Sequence, residues 1–189
     1  FWGIVIPGRC DSIELWCALA HLGISRFRVW SFGPSRNDSY RGAIAVTFVA
    51  RHALWSDEQK DAAQRMRRIV EEKNLEVIRL AFPDQHGILR GKTIIAAEAI
   101  ASLESGCSIT TTMLAKDTSH RTVFPVFTSG GGFGMPEMEG AADVLMVADP
   151  TTFRVLPWAP NTGWLLCDIY FGDGRPVPFA TRHLYRKVI

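Results

Sequence analysis

Residues 143–182, DVLMVADPTTFRVLPWAPNTGWLLCDIYFGDGRPVPFATR, decide the fold. Residues 144–147 read as a short buried strand, and Asp149-Pro150 ends it, because proline has no N–H to give a ladder and holds the residue before it extended. The connector Leu156-Pro157-Trp158-Ala159-Pro160 is stiff, its two prolines fixing φ on either side of an indole. Residues 164–170, WLLCDIY, carry the strongest strand pattern in the chain, apolar and aromatic with Asp168 as the interruption. Gly172-Asp173-Gly174 is a turn signal that predicts a hairpin return through Pro176 and Val177.

Asp149 to Thr152, Leu156 to Trp158, Cys167-Asp168, the glycine turn at 172–174 and the Pro178 to Arg182 closing step, in that order and spacing, resemble the junction between the two domains of the glutamine synthetase family. Residues 77–93, VIRLAFPDQHGILRGKT, are similar to the opening hairpin of the small N-terminal domain in the same family. The resemblance implies an α+β fold, a β-grasp-like mixed sheet with packed helices over residues 56–177. Residues 178–189 would then start a catalytic domain, and residues 1–55 would be an N-terminal extension of uncertain fold.

With 189 residues, 47% of them hydrophobic, and a net charge of +2, the chain has the composition of a globular domain with an attached piece. That charge is too small to imply a nucleic-acid partner. Cys10, Cys17, Cys107 and Cys167 have no C-x-x-C spacing; they read as small buried hydrophobes and suit a reducing cytosol. Apolar runs fall far short of the roughly 18 to 20 residues of a spanning helix, and no basic-then-apolar leader opens the sequence. A soluble, cytoplasmic protein without a membrane partner is expected.

Trp2, Trp16 and Trp30 fall in the first 50 residues, and no lysine precedes Lys60. Ser12 suits the cap of a helix over 13–22 ended by Gly23, with strands near 27–32 and 43–50. Residues 1–50 are expected to contribute little to stability. From Ser56 the signals sharpen. Ser56-Asp57-Glu58-Gln59 has the form of a capping box, and Ala62, Met66, Ile69 and Val70 follow at helical spacing, which predicts a helix over 57–73. Arg65, Arg67 and Arg68, followed by Glu71 and Glu72, indicate a solvated face laced with i,i+4 pairs.

Residues 76–82 predict a strand, 83–87 a turn and 88–94 the returning strand. Asp84 and His86 have the spacing of a carboxylate orienting an imidazole for proton transfer, yet Asp and His before glycine are ordinary turn formers, and the turn reading is preferred. Arg90 and Lys92 alternate with apolar neighbours and are expected to face solvent or a neighbouring subunit. Residues 96–103 predict a short helix with Gly106 beyond its end, and the Thr-rich 107–114 a strand or an extended crossing segment.

The informative loop is Thr128-Ser129-Gly130-Gly131-Gly132-Phe133-Gly134-Met135-Pro136. Its backbone must turn sharply, approach something closely, or move. It lacks the Gly-Lys-Ser/Thr ending of a phosphate loop. In the resembled family, the loop at this place reaches into a neighbouring subunit's catalytic cleft, and glutamine-forming members carry there an aspartate that binds and deprotonates ammonium. Counting back from Asp143 without a gap puts Ser129 at the aspartate's position, with Gly130, Gly131, Gly132, Phe133 and Gly134 completing a substrate loop. A hydroxyl is neither a cation site nor a base at neutral pH, so the departure puts ammonium in doubt and suits larger amines. Residues 129–134 are expected to be exposed and mobile in the lone chain.

The resemblance implies an ATP-dependent ligase joining the γ-carboxyl of glutamate to ammonia or an amine through a γ-glutamyl phosphate. It also implies ATP and magnesium or manganese for the full-length protein, and neighbouring subunits of a homo-oligomeric ring. This chain alone is expected to bind no cofactor or metal and to have no ligase activity, because the family's catalytic carboxylates belong to the domain that begins near residue 178. Ala180-Thr181-Arg182 stands there in place of the usual Asp-Pro-Arg. The alternative reading is a non-catalytic, free-standing β-grasp module that binds a partner through its sheet edge or its glycine loop.

Overall fold

The computed structural model describes residues 46–123 and 125–189. The helix expected at 13–22 and the strand near 27–32 lie outside the described residues. Helix α1 (Phe48–Arg51) is a single turn whose Thr47 side chain accepts from the Ala50 N–H at 3.3 Å. It stands where residues 43–50 suggested a strand, because the Thr47 cap and burial of Val49 close a helical turn instead. Helix α2 (Asp57–Glu72) has both halves of its capping box. Gln59 N–H donates to Ser56 Oγ at 3.3 Å and Ser56 N–H to Gln59 Oε1 at 3.0 Å. Ala62, Ala63, Met66 and Val70 form its buried stripe.

Strands β1 (Val77–Pro83) and β2 (Leu89–Ile95) make the hairpin expected after α2, followed by helix α3 (Ala96–Ala101) and strand β3 (Cys107–Thr110). The Thr-rich segment is thus a strand for its first half and a 3-10 turn over Thr111–Leu114. Strands β4 (Asp143–Ala148), β5 (Arg154–Val155) and β6 (Thr162–Tyr170) and helix α4 (Thr181–Val188) complete the order. The sheet runs β2-β1-β6-β4-β3, with β5 also on β6. β1 is parallel to β6, and the other pairs are antiparallel. The fold is therefore α+β, a mixed β-grasp-like sheet carrying helices, with the last strand at its centre.

A central strand covered on both faces reads as a continuous apolar run rather than an alternation, which is the pattern of β6. Leu165 and Cys167 point one way and Ile169 follows them at the same parity, all essentially inaccessible. One edge of β6 pairs with β1 over its first half. Its other edge is shared: β5 pairs with Gly163 and Trp164, and β4 with residues 167–170. Leu166 lies at the gap, where its carbonyl accepts from Asp149 N–H at 2.8 Å and its N–H donates to Thr152 Oγ1 at 2.9 Å. The Asp149-Pro150 stop thus falls where one partner strand hands over to the next. Beyond β6 the return is made by Phe171 N–H to Arg175 O at 2.9 Å and Val177 N–H to Ile169 O at 3.0 Å.

The core joins Met66 and Val70 of α2 to Ile78, Phe82, Met146, Leu165 and Ile169 of the sheet. Val49 and Trp55, which precede the expected boundary at Ser56, belong to it, and Trp55 Nε1 donates to Ala148 O at 3.0 Å. The low weight expected of residues 1–50 therefore does not extend to Val49. Arg67 reaches Glu104 at 3.2 Å rather than a helical neighbour. Cys167 is wholly buried and Cys107 half-buried, both free thiols pushed up in pKa chiefly by burial. Among the described residues no helix is long and apolar enough to cross a membrane.

Arg90 corrects a sequence expectation. It is buried, not outward, with Nε 2.6 Å from Asp84 Oδ2. The turn between β1 and β2 brings the Asp84 carboxylate inward, and an ion pair inside the fold replaces solvent. Lys92 stays exposed. The same carboxylate accepts from the backbone N–H groups of His86 and Ile88, so it is spent on the turn and on Arg90, not on orienting the His86 ring.

Candidate functional site

The glycine loop leaves Val126, which is wholly buried, and returns at Met138, also wholly buried. Between these anchors the chain folds on itself. Thr128 Oγ1 donates to Pro125 O at 2.8 Å, Gly131 N–H to Thr128 O at 2.9 Å, Met135 N–H to Gly132 O at 3.0 Å and Gly140 N–H to Val126 O at 2.7 Å. Ser129, Gly130, Phe133 and Gly134 are exposed, as expected, but Gly131 and Gly132 are buried. The glycines serve different purposes. A Cβ on Gly131 would lie 2.0 Å from Pro125 O, and one on Gly132 2.8 Å from the Met138 carbonyl carbon, so both are close approaches of backbone to backbone. Gly130 and Gly134 face open space and have φ of +74°, the left-handed region that glycine enters without cost.

No charged side chain occurs from Phe127 to Met135. The one large ring inside the glycine run, Phe133, has φ +63° and ψ 24°. It lies tilted on Phe179, with ring centroids 5.1 Å apart. Phe127 is 73% exposed. The loop is therefore neutral and rimmed by aromatic surface, with the Ser129 hydroxyl open to solvent.

A second polar assembly lies under α4, and the sequence reading did not find it. Asp149, at the end of β4, and Asp168, within β6, are both buried. Arg182 and Arg186, one turn apart on α4, each bridge both: Arg182 Nε is 2.9 Å from Asp168 Oδ1, and Arg186 is 2.7 Å from Asp168 Oδ2 and 3.0 Å from Asp149 Oδ2, while Arg182 Nη2 also pairs with Asp149. Gln59 Nε2 and Thr151 Oγ1 complete the shell of Asp149 at 3.2 and 2.7 Å. Burial pushes the Asp149 carboxyl up, but Thr151, Gln59, Arg182 and Arg186 outweigh it and hold it below the usual carboxylate range. Asp149 therefore stays ionised at neutral pH and is no general acid. Tyr170 beside it is pushed up to about 12, mainly by burial and next by Asp168.

A cleft of about 270 Å³ opens here, lined by Trp55, Glu58, Gln59, Asp149, Tyr170 and Arg186 among others. The two carboxylates face two guanidiniums, so the charge of the cluster is balanced and a divalent cation would have to displace an arginine. Among the described residues no three His, Cys, Asp or Glu side chains form a group that could hold a metal ion. Glu137-Met138-Glu139 is an E-x-E pair by sequence, but Met138 is buried and Glu137 is taken by an ion pair with Arg175. The residues present do not fit a resident metal. The signals that could have pointed to the Asp149 cluster are Asp168, a charge inside an apolar strand, and Arg182 and Arg186 at helical i,i+4 spacing.

No protein-family profile matches the chain. A γ-glutamylanilide synthase from Acinetobacter sp is 40% identical over 147 residues, which cover 76% of this chain and 29% of that protein. A glutamine synthetase of Mycobacterium tuberculosis is 30% identical over 141 residues, covering 69% of this chain and 26% of that one. Among solved structures, the GmaS/ADP complex in its first conformation aligns with 30% identity and a TM-score of 0.47, over 64% of this chain and 24% of that chain. The chain thus spans less than a third of the length of the relatives it matches.

Proposed function

The chain belongs to the glutamine synthetase family, and on that premise we propose that the protein carrying it is an ATP-dependent ligase that joins the γ-carboxyl of glutamate to an amine larger than ammonia. The likeness to a γ-glutamylanilide synthase is the observation that carries this reading. The composition of the glycine loop supports it. Ammonium needs a carboxylate or similar group to bind its charge and take its proton, and Ser129 supplies neither.

In this reading, ATP transfers its γ-phosphoryl group to the glutamate γ-carboxylate. The amine nitrogen then attacks the resulting acyl phosphate carbonyl and loses a proton, and phosphate leaves. ATP and magnesium or manganese are held by parts of the longer protein; among the described residues no group of His, Cys, Asp or Glu could hold the metal. This domain's contribution is positional: residues 129–134 are set against the amine site of a neighbouring subunit in a homo-oligomer, between the buried anchors Val126 and Met138, the latter part of the core with Met66 and Leu165.

The test is an amine panel with the full-length protein. Glutamate, ATP and magnesium are supplied with aniline, an alkylamine, ethanolamine or ammonium, and γ-glutamyl products and ADP are measured. Amide formation with an organic amine should exceed glutamine formation. A panel in which only ammonium gives product would reverse the amine assignment. Silence with all four would leave the non-catalytic module as the better description.

A further inference from the structure

In a run with glycine at 130, 131, 132 and 134, residue 133 is the one position that combines a left-handed backbone with a bulky side chain. There the Cβ of an L-residue crowds the following carbonyl, a strain that glycine does not incur. Backbone strain of this kind points to a side chain held in place for what it does. The ring so held meets Phe179 at 5.1 Å in a tilted pair, and Phe179 is fixed between the buried Val177 and Ala180. Two separate segments therefore bring aromatic surface to one place, and Phe133 keeps 39% of its surface exposed there.

The segment from Phe127 to Met135 carries no charged side chain; its polar groups are the Thr128 and Ser129 hydroxyls and the backbone, and the ring of Phe127 is exposed. A cationic amine would find no carboxylate in this segment. An arylamine differs from ammonium and alkylamines in two respects. Its nitrogen is weakly basic, so it is uncharged at neutral pH and needs neither a counter-charge nor a strong base. Its ring can also pack edge-to-face or offset on phenylalanine, a gain beyond area burial.

We infer that Phe133 and Phe179 form an aromatic wall that selects arylamines over ammonium and small alkylamines, an inference that rests on the ligase reading above. Phe133 is then a specificity-determining residue, and its strained backbone sets the angle at which the ring meets the substrate.

The test uses the full-length protein and the ratio of kcat/KM for aniline to kcat/KM for an alkylamine. Phe133→Gly removes the ring, so a purely structural Phe133 predicts an unchanged ratio of the two amines and a substrate-binding one a fallen ratio. The inference requires the ratio to fall about tenfold, in line with loss of a ring contact and its buried area, whatever the change in Tm. Phe179→Leu, which keeps apolar bulk without the ring, should lower the ratio in the same direction. If both variants keep the wild-type ratio, or if Phe133→Gly lowers Tm and both amines fall in parallel, the wall is structural and the inference is overturned. A wild-type protein silent with every amine would remove the ligase reading itself, and the inference with it; activity with amines at unaltered ratios removes the inference alone.

Discussion

Arg90 and Asp84 form an ion pair inside the fold, Nε to Oδ2 at 2.6 Å, with side chains 5% and 1% exposed. The guanidinium also reaches His120 Nδ1 at 3.0 Å and Asp117 O at 3.2 Å. A guanidinium can only donate, so His120 must present its Nδ1 lone pair. Asp84 in turn accepts from the turn backbone at His86 and Ile88, and its own carbonyl accepts from Thr181 Oγ1 at 3.0 Å. One buried charge pair thus ties the β1–β2 turn to the 117–120 loop and to the start of α4.

Removing one partner should be far worse than removing both. Arg90→Met leaves a buried carboxylate without its counter-charge, a loss of about 3–5 kcal/mol, whereas Arg90→Met with Asp84→Asn should recover a large part of it. Urea unfolding of the two variants checks this. Equal losses in the single and double variants would mean that the pair is not coupled.

Acid should weaken the fold through the same groups. Burial pushes the Asp84 carboxyl up, but Arg90 and the N–H groups of His86 and Ile88 together hold it below its ordinary range; Asp149 is likewise lowered. A folded-state value below the unfolded one, near 3.9, gives stabilisation that is complete above about pH 4 and is lost as pH falls through the folded value. The urea midpoint should drop on the acid side of about pH 4, and Asp84→Asn should show a shallower drop. An identical acid slope in the variant would count against it.

The two kinds of glycine in the loop should separate by substitution. Gly130→Ala meets no atom within 4 Å and adds only the left-handed strain, about 1 kcal/mol. Gly131→Ala would drive a Cβ to 2.0 Å from Pro125 O, so backbone must shift, at roughly 1–3 kcal/mol. Thermal unfolding of both variants is the check, with Gly131→Ala expected to melt lower.

Ser129→Asp in the full-length protein introduces the carboxylate that the loop lacks. The ratio of ammonium to organic-amine turnover should rise, and a ratio unmoved by the change would place Ser129 away from the amine.

Much of this architecture was legible because its signals are local. The Ser56 and Gln59 box, the stripe of α2, the β1–β2 hairpin and the apolar run of β6 each lie within one element or two consecutive ones. The two ion-pair clusters were not: the Asp149 cluster joins segments distant in sequence, and Arg90 meets Asp84 of the same hairpin only because the turn carries the carboxylate inward. Alternation in β2 suggested an outward Arg90, and nothing near it announces that Asp84 turns inward to meet it. Asp149 read as the end of a strand, yet its carboxylate collects Gln59, Thr151, Arg182 and Arg186. In the glycine loop the sequence established that side chains had to be absent; only the coordinates separate close approach at Gly131 and Gly132 from turning freedom at Gly130 and Gly134.

The double bridging by Arg182 and Arg186 has a mechanical consequence. A helix held by a single charged contact can pivot about it, but α4 is fastened at two points one turn apart, each shared between the end of β4 and the middle of β6. Twisting or tilting it would strip a counter-charge from an enclosed carboxylate at either end of the swing. The helix is therefore a lever clamped to the sheet rather than hinged on it, and a push along α4 is felt directly at Asp168, in the strand around which the domain is built.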